Sequence, residues 1–327
     1  MNYPSQEYWN GKNVFVTGIT GFVGSHIAEK LLSMNANVSG IVRRRSSLEN
    51  IEPIKHKVKL IDGDISDSYS VYAAMKEAQP EVIFHLAAQS FVPLSWSAPL
   101  ETIRTNIDGT LNVLEAARKV DSVKRIHFAG SSEEYGHVLP EESPVKESQP
   151  LRPLSPYGVS KVACDLLCYQ YGKSYNLGVI RTRTFNHTGP KRGKEFVTSN
   201  FAHQVASIMK GKGQPVIKVG NLDAVRDFTD VRDIVNAYML AIEKARVNEV
   251  YNIGSGTGVK IQDVLNMLIR LSNAKVDVVQ DTERIRPSDV QYLLCDSSKF
   301  RNETGWQPTI PFEKTMSDLL QYWIERV

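Results

Sequence analysis

Cysteine is scarce in this chain: 327 residues hold three, Cys164, Cys168 and Cys295. An odd, widely spaced set builds no disulfide framework and no CxxC metal spacing, so no metal is expected. Cys164 and Cys168 lie four apart in a helical stretch, which suits small core residues. An excess of one charge is missing too. Lys and Arg total 39 against 36 Asp and Glu, a net charge of +3. That is too little to predict nucleic acid as a partner. The one dense basic run is Arg43, Arg44 and Arg45, so anion binding is expected to be local. No apolar run approaches the ~18 residues that would span a bilayer. The first twelve residues lack the apolar segment of a secretion signal. A cytoplasmic protein without a membrane partner is the expectation. Low-complexity tracts and repeats of solenoid period are also lacking.

What the chain does have is alternation. Short β-branched or aromatic runs at 14–17, 38–42, 58–61, 82–86, 124–129 and 179–184 predict strands. Between them, helical spacing predicts helices at 22–34, 71–78, 103–120 and 157–171. Alternating strands and helices with short connections predict an α/β, Rossmann-type, doubly wound parallel sheet. The texture changes after Asn186, where Gly and Pro cluster over 187–193. Helices are expected at 196–210, 231–244 and 261–272, alternating with short strands, with one more strand at 249–253 returning to the main sheet. The organisation predicted is a dinucleotide-binding domain over 1–185, rejoined by a strand near 249–254. Residues 186–327 mainly form a smaller, discontinuous substrate lobe at the carboxyl edge of the sheet, where open α/β folds bind ligands.

The segment from Thr17 to Gly24 places Gly18, Gly21 and Gly24 between the first strand and the first helix. The first glycine permits a tight turn. The second lets backbone amides approach a pyrophosphate, and the third lets helix and strand pack closely. Thr20, Phe22 and Val23 complete the loop, and the helix N-terminus favours the phosphates. The second strand ends without the acid that would take a ribose 2′-hydroxyl. Arg43, Arg44 and Ser46 stand there instead, and they suit a 2′-phosphate. NADP(H) is therefore expected, with NAD(H) the alternative. Asp64, followed by Ile65, is a candidate for the adenine end, unless it is a plain turn acid. Ala87, at the end of the fourth strand, is a further cofactor candidate.

Tyr157 and Lys161 are four apart on one helix, so their side chains share a face. An ammonium near a phenol favours the phenolate, which predicts a Tyr pKa lowered toward the working range. Ser131, at the carboxyl end of the fifth strand, is placed to bond the same substrate oxygen. Glu133 follows as a candidate acid or base, or else as a solvated loop acid.

These motifs, with the segments 87–92, 131–135, 155–161, 185–190, 196–198, 220–222, 226–233 and 286–290, resemble the extended short-chain dehydrogenase/reductase family from end to end. Within it the chain is similar to the GDP-sugar branch of 4,6-dehydratases and 4-keto-6-deoxy-sugar reductases. The resemblance implies a GDP-linked hexose as substrate. It implies that Ser90 and Asn186 meet the substrate and that Arg226 and Arg286 clamp its diphosphate. Arg192, Phe196 and Val197 would hold the guanine end, and Asp289 would accept from a ribose hydroxyl. It also implies a homodimer through the helices at 103–120 and 157–171, with a tetramer near Arg43–Arg45 as the alternative. Segments 186–190, 229–233 and 251–256 look like the reductases. Arg43 to Ser47, Lys191 to Gly193 and Glu133 look more like the dehydratases. A C4 epimerase and a non-catalytic NADP-binding regulator are the remaining readings, the latter disfavoured by the intact Ser131, Tyr157 and Lys161.

Overall fold

The computed structural model describes residues 2–281, Arg284 and 290–327. The six early runs become strands β1 (Asn13–Thr17), β2 (Asn37–Val42), β3 (Lys59–Asp62), β4 (Val82–His85), β5 (Arg125–Ser131) and β6 (Val179–Thr184). Beyond them lie β7 (Asn186–Thr188), β8 (Val216–Val219), β9 (Val225–Asp230) and β10 (Val250–Ile253). Three short strands follow: β11 (Gly258–Lys260), β12 (Asp277–Gln280) and β13 (Tyr292–Leu293). Seven of these form one parallel sheet in the order β10-β6-β5-β4-β1-β2-β3. The order reverses between β1 and β4, which opens a crevice at their carboxyl ends.

Helices cover both faces of the sheet, so its strands carry apolar residues on both sides. One face buries Phe15, Ile83 and Phe128 against helices Ser68–Ala78, Gly109–Arg118 and Pro156–Tyr175. The other buries Val16 and Phe84 against helices Phe22–Ser33 and Val231–Lys244. Trp9, Phe300 and Trp306 close that second core. Cys164, Cys168 and Cys295 are all buried and free, as small core residues should be. A separate core joins helices Val197–Met209, Ile261–Ser272 and Phe312–Ile324 to β8 and β9.

Local chemistry explains where element ends depart from the sequence pattern. The third helix starts at Ser68 rather than 71, because the Asp67 carboxylate caps the amides of Tyr69 and Ser70. The catalytic-motif helix runs from Pro156 to Tyr175, four residues further than expected. Ser155 accepts from the Gly158 amide at its start, and Asn176 closes it at φ +55°. The helix expected over 103–120 is interrupted. Helix Pro99–Ile103 passes into a π turn, Arg104–Asp108, before Gly109–Arg118. Periodicity also missed helices Val92–Ser97, Ser298–Thr304 and Phe312–Ile324; the lobe has the short strands expected between its helices, whose positions the pattern does not place. Among the described residues no helix is long and apolar enough to cross a membrane.

Candidate functional site

A cleft of about 300 Å³ opens at the carboxyl ends of β1, β4, β5 and β6. That size falls within the usual range for small-molecule sites. Its floor is the glycine loop. Gly18 sits at φ +71°, a left-handed conformation, and its carbonyl accepts the Gly21 amide at 2.9 Å. A Cβ on Gly24 would lie 2.2 Å from the Gly18 carbonyl oxygen, so only glycine lets the helix come this close. Gly21 caps helix Phe22–Ser33 without a side-chain bond, and the first turn carries no acid. The first amides and the helix dipole therefore remain available to an anion. This cradle fits the pyrophosphate of a dinucleotide. Thr20 is tied from outside, its carbonyl accepting from Asn50 at 3.2 Å. Lys191 reaches across from the loop after β7 to Glu29 at 2.7 Å and to the Asn50 carbonyl at 2.9 Å.

Tyr157 and Lys161 reach the cleft from one face of their helix, and Ser131 and Glu133 reach it from the end of β5. Ser131 hydrogen-bonds the Tyr157 phenol. The Lys161 ammonium donates to the Ala129 carbonyl at 2.8 Å and lies 5.0 Å from the Phe128 ring centroid. The expected depression of the Tyr157 pKa is not what this geometry produces. Burial holds the phenol well above its ordinary range, Ser131 and Arg192 pull it down, and Glu133 and Glu134 push it up. Burial also lowers Lys161 from its ordinary value.

Ala87, Ser90, Asn186 and Phe196 line the same cleft. Arg192 is wedged between aromatic rings, 3.4 Å from the Phe196 centroid and 4.9 Å from that of Phe22. Loss of water there brings its pKa down to about 10. It stands beside the glycine loop and within electrostatic reach of Tyr157. Arg226, on β9, lines a small adjoining pocket with Glu133 and Trp96. Val197 opens its helix and is exposed.

Several predicted residues lie off the cleft. Arg43 and Arg44 are exposed beyond β2, with Arg44 3.5 Å from Asp62. The Ser46 amide closes a turn onto the Arg43 carbonyl. One oxygen of Asp64 accepts from the amide and hydroxyl of Ser66, the turn arrangement allowed for above. Ile65 is buried in the core beside Gly109. Arg286 and Asp289 lie outside the described residues.

Sequence reasoning missed three residues of the site. His187 stacks on Phe22, with centroids 5.9 Å apart and planes 4° apart, and burial lowers its pKa to about 4. Tyr238 reaches the cleft from helix Val231–Lys244. Asn106, in the π turn, joins the loop after β4 to the catalytic helix. Its side chain accepts from the Gln89 amide at 2.8 Å and donates to Ser160 at 2.8 Å. The periodic stretch containing Asn106 gave a reading for apolar spacing only, so its one buried amide carried no signal.

Residues 15–319 match the model of a family described as GDP-mannose 4,6 dehydratase. The chain is 30% identical to GDP-6-deoxy-D-mannose reductase of Pseudomonas aeruginosa, covering 97% of this chain and 98% of that one. It is 31% identical to GDP-mannose 4,6-dehydratase of Vibrio cholerae, over 97% and 95%. Among solved structures it superposes on RMD from Pseudomonas aeruginosa complexed with NADPH, with TM-score 0.84 and 29% identity over 97% and 100% of the two chains. It superposes as well on a Thermus thermophilus UDP-glucose 4-epimerase complexed with NAD, with TM-score 0.87 and 29% identity over 96% and 99%. By sequence and by fold, this chain belongs to the GDP-mannose 4,6-dehydratase family of the extended short-chain dehydrogenases/reductases.

Proposed function

We propose that the protein is an NADPH-dependent reductase acting at C4 of a GDP-linked 4-keto-6-deoxy hexose. The observation that carries this reading is the convergence of Ser131, Tyr157 and Lys161 beside the glycine cradle. When bound, the nicotinamide supplies the hydride. Ser131 holds the C4 oxygen, and Tyr157 gives it a proton as the alkoxide forms. Lys161 anchors the site from the Ala129 carbonyl. A buried phenol with a raised pKa stays protonated through neutral pH, which suits a donor better than a base. Arg192 and Arg226 bracket the place for the substrate's diphosphate and sugar.

Chain length supports the reductase over the dehydratase. The alignment with the reductase spans 317 positions, and that with the Vibrio cholerae dehydratase spans 358. The second exceeds the 327 residues present, so the dehydratase has insertions that this chain lacks. One observation favours the second reading: Glu133 lines the cleft beside Ser131 and Tyr157. In a dehydratase it would take the C5 proton once C4 is oxidised. The readings separate on incubation with GDP-mannose and NADP⁺, against a GDP-4-keto-6-deoxy hexose and NADPH. NADPH consumed one for one with the keto sugar supports the reductase. Conversion of GDP-mannose without net change in the cofactor overturns it.

Arg43 and Arg44 are read as the contacts to a 2′-phosphate. Charge-assisted bonds contribute about 1.5–3 kcal/mol. The double variant Arg43→Ala/Arg44→Ala is therefore expected to lose about 10- to 100-fold in its preference for NADPH over NADH, measured as the ratio of kcat/KM values. An unchanged ratio refutes that assignment. A homodimer is read from the helix carrying exposed Val159, Leu166 and Tyr169.

A further inference from the structure

Behind the wall of the cleft lies a charged cluster sealed from water. Glu134 is 0% exposed, Asp165 1%, Arg183 6% and Arg181 7%. One Glu134 oxygen accepts the Ser131 backbone amide at 2.8 Å. The other lies 2.9 Å from Arg183 Nε, which is also 2.9 Å from an Asp165 oxygen. The second Asp165 oxygen takes the guanidinium of Arg181. The Arg183 guanidinium lies 5.2 Å from the Tyr135 ring centroid and donates to the Tyr135 hydroxyl at 3.3 Å. Two arginines face two acids, and burial together with the Asp165 carboxylate raises the Glu134 carboxyl well above the usual carboxylate range against the pull of Arg183. Buried charges tolerate little displacement, since any lost partner leaves a charge unpaired in a medium of low polarity.

We propose that Glu134, bridged by Arg183 to Asp165, is a positioning residue that fixes the Ser131 hydroxyl against the Tyr157 phenol. The inference rests on the reading that those two groups act on one substrate oxygen. Connectivity carries it. Tyr157, Lys161 and Asp165 follow one another at intervals of four, so they share one face of the helix Pro156–Tyr175. Asp165 therefore ties the catalytic helix to Arg183, and Glu134 ties the Ser131 loop to the same guanidinium. Arg183 is on β6, whose register with β5 sets Gly130 opposite it and Ser131 opposite Thr184. A reciprocal cap completes the link. Ser131 Oγ accepts from the Glu133 amide at 3.2 Å while Glu134 holds the Ser131 amide. Gly130 leaves the room required: a Cβ there would sit 2.5 Å from the Glu134 carboxylate and 2.6 Å from the Thr182 carbonyl. Glu134 itself is fully buried and is not among the residues that line the cleft, so it acts through Ser131.

The test is a double-mutant cycle of Ser131→Ala and Glu134→Gln. The Gln keeps the shape of Glu134 but sets an amide or a weaker acceptor against Arg183. Ser131→Ala alone is expected to lower kcat on the order of 100-fold. Glu134→Gln is expected to lower it about tenfold with KM little changed, and the double variant to be no worse than Ser131→Ala by more than about twofold. Losses that multiply overturn the proposal. A second readout needs neither substrate nor cofactor: the ¹³Cζ resonance of Tyr157, assigned by its loss in Tyr157→Phe. Ser131→Ala should move it in the wild-type background and leave it in place in Glu134→Gln; an equal shift in both overturns the proposal. A wild-type protein that turns over no nucleotide sugar sinks the functional reading, and the resonance still decides this one. Should Glu134→Gln fail to fold, Arg183→Lys puts the same question, since a lysine keeps the charge and loses the planar fork.

Discussion

Replacing Tyr157 by Phe is expected to slow turnover by about 10²- to 10⁴-fold while leaving cofactor affinity within about threefold. The ring stays in place, because Tyr157 is buried and its helix begins at a Ser155 cap that the substitution does not touch. What disappears is the only ionisable proton on that side chain and its bond with Ser131. Water cannot substitute readily, since the phenol is largely sealed. The pH dependence follows from the same burial. A free tyrosine ionises near pH 10, and this one is held higher by desolvation and by the Glu133 and Glu134 carboxylates. As a proton donor it is fully competent below that raised value. The reductive rate should therefore show no loss from Tyr157 between neutrality and about pH 10. Stopped-flow measurement of NADPH oxidation across that range, with binding followed by nicotinamide fluorescence, checks both statements. A Phe variant retaining more than about a tenth of wild-type turnover would remove Tyr157 from the chemistry.

The sheet and the glycine loop were legible because their signals are local. A strand covered on both faces reads as an unbroken apolar run, and a tight turn before a helix demands glycine at fixed spacing. Tyr157 and Lys161 were legible for the same reason, since four residues on a helix make one face. The strand at Val250–Ile253 was legible as a return to the main sheet, and it pairs in parallel with β6. Other features depend on contacts between distant segments. Asn106 matters because Gln89 and Ser160 converge on it. His187 matters because it meets Phe22, 165 positions earlier, face to face. The direction of the Tyr157 shift was misread because spacing reveals the neighbouring ammonium and conceals the loss of water. In this site the loss of water is the larger effect. Short strands were expected in the lobe, but their positions escaped because they are two to six residues long and pair mostly with one another.

Acid is expected to weaken the fold through two histidines that no motif marks. His85, at the end of β4, is buried between Thr17 and Thr110, at 2.8 and 3.0 Å. The Thr17 oxygen already accepts the amides of Leu86 and Ala87, so its own proton goes to His85 Nδ1. A second ring proton would have no acceptor there. His127, on β5, bonds Thr182 at 2.9 Å and packs on Tyr238 with centroids 4.1 Å apart. Its Nδ1 has no partner among the described residues. Burial, with Lys161 nearby, lowers both rings from 6.5 to about 3. The folded state thus keeps them neutral where the unfolded chain would protonate them. Stability from this source is complete above pH 6.5 and is lost as the pH falls toward 3. At pH 5 each ring costs about 2 kcal/mol, so the pair removes about 4 kcal/mol relative to pH 8. Urea unfolding at the two pH values measures the total, to which carboxylates also contribute. His127→Phe isolates the effect: a phenyl ring fills the space beside Phe84 and Tyr238 and carries no proton. Its loss between pH 8 and pH 5 should be smaller than that of the wild type by about 2 kcal/mol. An identical loss in the two proteins would mean that His127 is protonated in the fold and that this account of acid sensitivity is wrong. β4 leads into Ala87 and β5 ends at Ser131, both on the cleft, so cofactor affinity should fall over the same pH interval.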